Sequence, residues 1–223
     1  MNPWPQLMRR GAVARMRQRC AERRMLCLTY DDGPGADLTP RVLDTLARHG
    51  ARATFFLLGR NALAHPTVAD RVRDAGHECA CHTMEHLNGW RVAGARAARD
   101  VDEGYAALSR WLPSDARFRP PFGKLCAAHW RTLRTRRAPV DWWTIDSGDT
   151  TPFGSPLPDP ESVWRRVEQD SGAVVLLHDM DREREHPARA EFVLKVTDLL
   201  LTRARSAGLR AATLSELFSE HGS

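Results

Sequence analysis

The stretch MLCLTYDDGPG, residues 25–35, joins an apolar run to two adjacent carboxylates and a Gly-Pro-Gly turn. One aspartate is expected there, because Asp side chains hydrogen-bond the nearby backbone and start turns. A second like charge beside it repels the first. Successive residues of a strand point to opposite faces, so Asp31 and Asp32 can contact different partners. The pair therefore indicates functional residues at the end of a strand.

Further apolar runs like residues 25–30 follow along the chain. Short apolar, β-rich runs alternate with amphipathic segments of helical periodicity. The further runs are residues 53–58, 77–81, 116–119, 139–145, 173–177 and 209–213. Seven strands alternating with helices predict parallel βαβ units in a single α/β domain, either a barrel or a doubly wound sheet. Both architectures place functional side chains at the C-terminal ends of their strands.

The formal net charge of +5 is concentrated at the N-terminus. Residues 1–24 contain seven arginines and a single glutamate, so the rest of the chain is close to neutral. A nucleic-acid-binding domain carries basic residues across a folded face, and we therefore predict no nucleic-acid partner. We divide the chain into a basic N-terminal arm (1–24), one globular domain (25–218) and a short C-terminal tail (219–223).

The N-terminal arm has a narrow apolar stripe. Met8, Ala12, Met16 and Cys20 recur every four residues between the arginines, which predicts a helix. Two interpretations stay open: a solvated helix packed loosely on the domain, or weak peripheral contact with an anionic membrane. The arm has no compact apolar segment typical of a secretory signal, and the five cysteines form neither an even set nor a CxxC pair. We therefore expect a cytoplasmic protein.

The segment HTMEH places His82 and His86 four residues apart, a spacing that brings two imidazoles to one side of a helical turn. With Asp32 they form a set of three nitrogen and oxygen ligands typical of a catalytic divalent cation. Zn²⁺ suits this set best, and Co²⁺, Ni²⁺, Mn²⁺ and Fe²⁺ also accept such ligands. Asp31 is then free to act as a general base toward the attacking water.

Two further strand ends supply candidate catalytic residues. Arg119 has a planar guanidinium that can grip a carboxylate such as Asp31 at two points and keep it ionised. His178 ends a buried apolar run, where it is either a core residue or a proton donor. Asp146, at a neighbouring strand end, is the candidate to orient the ring of His178 and keep it protonated.

These residues together resemble the polysaccharide deacetylases of the NodB-homology type, carbohydrate esterase family 4. The matching segments are TYDDGP (29–34), HTMEH (82–86), RPPFG (119–123), WTIDSGDT (143–150) and LLHD (176–179). The resemblance implies a distorted (β/α)7 barrel and the metal, base and acid roles given above. It also implies that the backbone N–H of Phe122 stabilises an oxyanion and that Leu176 lines the pocket for the acetyl methyl group.

One position departs from the family pattern. Relatives usually close the fourth segment with a tryptophan that walls the acetyl pocket, and this chain has Thr150 instead. Trp143, Trp142 and Phe153 are the candidates to replace that wall. Because this wall contacts the group that is removed, the departure bears on the identity of the substrate rather than on the chemistry.

The sequence thus predicts a metal-dependent hydrolase that removes an N-acetyl group from an amino sugar in a glycan or glycoconjugate, as part of an intracellular biosynthetic route. Hydrolysis of another amide or ester stays open: O-deacetylation, deformylation or C–N cleavage in a cyclic amide. A sugar-binding module without catalysis is the remaining alternative. The chain has a complete set of acid, base and ligand residues, which disfavours a sugar-binding module without catalysis.

Overall fold

The computed structural model describes residues 4–113, 115–152, 155–181 and 188–219. Of the predicted tail, 220–223 lie outside this range. The strands are β1 (Met25–Asp31), β2 (Thr54–Leu57), β3 (Glu78–Cys81), β4 (Ile145–Asp146), β5 (Ala173–His178) and β6 (Arg210–Ala211). The helices are α1 (Trp4–Arg23), α2 (Leu38–Arg48), α3 (Gly59–Ala64), α4 (Pro66–Asp74), α5 (Gly94–Ala107), α6 (Ala127–Arg136), α7 (Pro160–Gln169), α8 (Arg189–Ser206) and α9 (Leu214–Phe218).

The strands form one parallel sheet in the order β3-β2-β1-β5-β4, and β6 pairs with the start of β1. The sheet closes through isolated bridges from Phe118 to Cys81 and to Val140. The predicted parallel α/β fold is therefore confirmed as a distorted barrel. The described residues contain six strands rather than seven, because the run 116–119 is reduced to these bridges. Pro120 and Pro121 follow it and have no N–H to extend a ladder.

Every residue of β1 is buried, as expected for a strand covered on both faces. Leu26, Leu28 and Tyr30 face the surrounding helices and belong to the larger apolar cluster, which lies between the sheet and the helices and which we call the outer core. Cys27 faces the barrel interior, where it lies in a second apolar cluster with Phe56 of β2. Because side chains alternate along a strand, Asp31 shares the interior face with Cys27 at the barrel mouth.

Helix α1 packs against β1 and β5, which makes it part of the core. Its predicted apolar stripe is confirmed: Met16 and Cys20 are buried in the interior cluster, and Met8 and Ala12 pack on the outer core. The expectation of loose packing is wrong, because this stripe faces the protein along the length of the helix. None of the described helices has the length and hydropathy needed to span a bilayer.

Candidate active site

The three predicted metal ligands converge at the mouth of the barrel. Asp32 Oδ1 lies 3.3 Å from Nε2 of His82 and 3.2 Å from Nε2 of His86. Their ligand atoms all lie within 4.8 Å of one another. Asp32 Oδ1 is buried and has no hydrogen-bond partner among the described residues, although a buried carboxylate oxygen normally has one. The donor set and this orphaned oxygen fit a divalent cation with a further position open to water.

The protonation of these residues also suits a cation. Nδ1 of His82 lies 2.7 Å from the carbonyl oxygen of Arg119, so Nε2 is directed at the carboxylates. Burial lowers the pKa of His86 to about 4, which leaves its imidazole neutral at pH 7. Burial alone would raise the pKa of Asp32, but His82 and His86 hold it well below its usual range. For His82, burial lowers the pKa, but the nearby carboxylates Asp31 and Asp32 raise it above its usual value. The two carboxylates thus favour a positive charge between them.

Helix α5 holds the loop that carries His86, a contribution that the sequence reasoning missed. Asp100 accepts hydrogen bonds from the backbone N–H groups on both sides of His86, at 2.7 Å from Glu85 and 3.2 Å from Leu87. His86 itself has a left-handed φ of 60°. One helical turn on, Gly104 allows the loop to approach, since a Cβ there would lie 2.5 Å from the carbonyl carbon of Thr83.

Asp31 and Arg119 are in contact, as predicted. Nη1 of the fully buried Arg119 donates to Asp31 Oδ1 at 2.7 Å. Asp31 Oδ2 lies 3.8 Å from Nε2 of His82 and so faces the ligand triad. The predicted two-point grip is wrong, because Nη2 donates instead to the carbonyl oxygen of Trp142 at 2.8 Å. The guanidinium also lies 4.0 Å from the centre of the Phe56 ring, which fixes its plane.

The carboxylate that contacts His178 is Asp149, and the prediction of Asp146 is wrong. Nδ1 of His178 lies 2.9 Å from Asp149 Oδ1, and the backbone N–H of His178 donates to Oδ2 at 2.9 Å. Asp146 is exposed and accepts from the backbone N–H of Gly148. Gly148, with a φ of 77°, turns the chain so that Asp149 is buried beside the barrel mouth.

Asp149 keeps His178 protonated at neutral pH, as a proton donor must be. Burial lowers the pKa of His178, but Asp149 raises it more strongly, to about 9. Arg189, at the start of α8, was missed by the sequence reasoning. Its Nη2 lies 3.4 Å from Asp149 Oδ2 and donates to the carbonyl oxygen of His178 at 2.7 Å. Arg189 therefore steadies both members of the pair.

The predicted pocket residues occupy different environments. Phe122 is 54% exposed, and its ring centre lies 4.5 Å from that of His86. Leu176 is buried on β5, two residues before His178 and on the same face. Trp143 is half-buried, 5.7 Å from the guanidinium of Arg119. Phe122, Leu176 and Trp143 thus lie beside the candidate catalytic residues.

The other three predicted pocket residues do not lie in the pocket or are not described. Trp142 is buried in the outer core, where its indole N–H donates to the carbonyl oxygen of Gly123 at 3.1 Å. Its proposed role as a pocket wall is wrong, because adjacent residues of an extended segment face opposite ways and Trp143 takes the inner side. Thr150 is exposed, and Phe153 lies outside the described residues.

Comparison with known proteins identifies the family of this chain. The family model for polysaccharide deacetylases matches residues 18–137. The chain belongs to the polysaccharide deacetylase family. A peptidoglycan-N-acetylglucosamine deacetylase of Bacillus cereus is 31% identical over 196 residues, covering 87% of this chain and 88% of the relative. A chitooligosaccharide deacetylase of Sinorhizobium fredii is 34% identical over 156 residues, covering 68% of this chain and 70% of that one.

Solved structures agree with the deacetylase fold. The crystal structure of the Bc1960 peptidoglycan N-acetylglucosamine deacetylase superimposes with a TM-score of 0.74 at 25% identity, covering 89% of each chain. A mutant of a CE4 family pseudoenzyme with restored enzymatic activity gives the same TM-score of 0.74 at 25% identity, covering 90% of this chain and 69% of that one. The family thus includes proteins without activity, so the side chains of each member must be inspected.

Proposed function

We propose that this polysaccharide deacetylase removes an N-acetyl group from an amino sugar within a glycan, using one divalent cation held by Asp32, His82 and His86. Zn²⁺ is the metal that this ligand set suits best. The observation that carries the proposal is the orphaned Oδ1 of Asp32, which lies between two imidazole nitrogens at the mouth of the barrel. Asp31 and His178 supply a base and an acid at the same mouth.

A cation bound there would polarise the acetyl carbonyl and lower the pKa of the attacking water. Asp31 accepts the proton of that water, and Arg119 keeps the carboxylate ionised and correctly aimed. The backbone N–H of Phe122 donates to the carbonyl oxygen as negative charge develops on it. Leu176 lines the space for the methyl group. The water oxygen bonds to the carbonyl carbon, and the C–N bond then breaks.

His178 completes the reaction by donating its proton to the departing amine, which is a poor leaving group without it. The products are acetate and a free amino sugar. His178 holds this proton at neutral pH because Asp149 raises its pKa to about 9. The non-catalytic alternative is disfavoured because acid, base and all three ligand positions carry suitable side chains in contact with their partners.

We also propose that the enzyme acts on an intracellular biosynthetic intermediate in the cytoplasm. The support is the state of its cysteines: all five are free thiols, and four of them are buried. Structural disulfides are typical of oxidising compartments, and free thiols are typical of reducing ones.

Product release tests the activity, with acetate measured for the acetylated compounds, formate for the N-formylated sugar and the ring-opened amino acid for the cyclic amide. The zinc-loaded protein is incubated with tetra-N-acetylchitotetraose, peptidoglycan fragments, an O-acetylated glycan, an N-formylated sugar and a small cyclic amide. We expect acetate from the N-acetylated sugars, and we expect Asp31→Asn to lower turnover by about 10² to 10⁴-fold. Turnover of only the O-acetyl, formyl or cyclic amide compound would overturn the N-deacetylase assignment. Tight glycan binding with no turnover would instead indicate a binding module.

A further inference from the structure

A groove adjoins the candidate active site, and the proposed chemistry uses none of its charged side chains. It encloses about 700 Å³ between the N-terminal half of α1 and two segments, 122–124 and 143–146. We call it the α1 groove. Phe122 and Trp143 line it, and both also lie beside the catalytic residues: Phe122 contacts His86, and Trp143 lies near Arg119. A glycan bound at the metal site can therefore extend into this groove.

The α1 groove carries exposed aromatic surface suited to sugar rings. Trp90 is 46% exposed and Phe122 is 54% exposed, a large exposure for such residues. The indole N–H of Trp90 donates to the carbonyl oxygen of Leu125 at 2.8 Å, which fixes the ring. Aromatic side chains held in this way offer rigid apolar faces at a low cost in conformational entropy.

The groove is also strongly basic. Five of its lining residues are cationic and one is acidic: Arg9, Arg10, Arg17, Lys124 and Arg166, with Asp146. Arg17 pairs with Asp170, and Arg166 donates to the carbonyl oxygen of Asp146. Within the part of the chain that the structure describes, Arg9, Arg10 and Lys124 form no ion pair. Three cations with free donors thus face a groove that contains a single carboxylate.

Arg9 is held in place before any ligand arrives. Its guanidinium lies 4.9 Å from the centre of the Trp143 ring. Gly123 permits this packing, because a Cβ there would lie 2.9 Å from Trp143 and 3.5 Å from the guanidinium carbon of Arg9. Asp146 of the same groove interacts with Arg9 electrostatically but forms no ion pair with it. The planar guanidinium, packed on Trp143, therefore keeps the geometry that binds a carboxylate or a phosphate.

We propose that the α1 groove is a subsite for an anionic group of the substrate, a carboxylate or a phosphate, carried by a glycan near the N-acetylated sugar. Arg9 is its central residue, Lys124 and Arg10 add charge, and Trp90, Phe122 and Trp143 contact the sugar rings. The inference rests on the proposed function, since it places the same substrate across both sites. It makes an acidic or phosphorylated glycan the preferred substrate over a neutral one.

Matched substrates test the subsite. The carboxylate arm compares a tetrasaccharide of alternating N-acetylglucosamine and N-acetylmuramic acid with the same compound after its carboxyl groups are converted to amides. The phosphate arm compares tetra-N-acetylchitotetraose 1-phosphate with unmodified tetra-N-acetylchitotetraose. In each arm the readout is the ratio of kcat/KM for the anionic compound to that for its neutral partner. Zinc-loaded wild type, Arg9→Gln and Arg15→Gln are compared.

We expect wild type to prefer the anionic compound by about tenfold in at least one arm, and that arm identifies the anion. Arg9→Gln should bring the ratio close to one. Arg15→Gln should keep the wild-type ratio, because Arg15 lies on the same helix but lines a different groove. A wild-type ratio of one in both arms, or equal losses in the two variants, would overturn the subsite.

A separate readout distinguishes failure of the subsite from failure of the proposed function. If no compound releases acetate, the deacetylase proposal fails. Titration of tryptophan fluorescence with the same four compounds then decides the subsite alone, because Trp90 and Trp143 line the groove. Tighter binding of an anionic compound that is lost in Arg9→Gln supports the subsite, and equal binding of both partners overturns it.

Discussion

Asp149 determines how His178 behaves, and the sequence alone did not single it out. Asp146 and Asp149 both follow the apolar run 139–145, and either carboxylate could reach a neighbouring strand end. The choice is made by the turn at Gly148 and by burial, which leaves Asp146 exposed and Asp149 fully buried. The convergence of the candidate ligands Asp32, His82 and His86 could be predicted because strand ends and a fixed spacing determine their positions.

The pH profile of turnover tests the role of Asp149. In the proposed mechanism protonated His178 is the active form, so we expect activity below its pKa and loss of activity as the pH rises through about 9. Asp149→Asn removes the charge that raises this pKa. We expect the alkaline limit of kcat to move down by about one pH unit or more, toward the ordinary histidine pKa of about 6.5. Asp146→Asn should leave that limit in place, and an equal shift in both variants would contradict the assignment.

At the scale of elements, α5 supports the loop that carries the candidate metal ligand His86. The sequence predicted the apolar alternation of helices and strands, but it did not reveal which helix touches the His86 loop. Such contacts depend on crossing angles and close approach, which local patterns do not encode. The run 116–119 failed as a strand for a comparable reason, because the prolines after it end the ladder and Arg119 turns inward.

Gly104→Ala tests that support. Alanine favours a helix over glycine by about 1 kcal/mol, but the new Cβ would lie 2.5 Å from the Thr83 carbonyl carbon, so the loop must shift. We expect zinc affinity to fall by about 10 to 100-fold, as for other residues that orient metal ligands. Gly94→Ala, in the same helix, is the control, because its Cβ would meet Ala128 at an ordinary 3.6 Å. Equal zinc affinity in the two variants would refute the role of Gly104.

Helix α1 is an integral element, and its core contacts predict its effect on stability. Met16 is 1% exposed, whereas Leu7 of the same helix is 61% exposed. Met16→Ala should lower the free energy of unfolding by about 2 to 5 kcal/mol, measured by urea denaturation. Leu7→Ala should change it by about 0.5 kcal/mol or less. Similar small changes in both variants would mean that α1 is not packed as described.

At the scale of the whole molecule, the parallel barrel brings distant segments of the chain to one mouth. Residues 31, 82, 149 and 178 lie at or just after the C-terminal ends of β1, β3, β4 and β5, and residue 119 follows the isolated bridges of Phe118. This rule made most of the site predictable from the order of the apolar runs. The α1 groove was not predictable, because it depends on where a terminal helix packs across the finished barrel.

The central claim is that Asp32, His82 and His86 hold one divalent cation on which deacetylation depends. Zinc content and acetate release are measured on the same samples of wild type, His86→Ala and His49→Ala after dialysis against zinc, and on wild type freed of metal by dialysis against a chelator. His49 pairs with Asp198 on the surface and serves as the matched control. We predict one bound zinc and full activity in wild type and His49→Ala, with both lost in His86→Ala. A full zinc content in His86→Ala, or acetate release by zinc-free wild type, would contradict the claim.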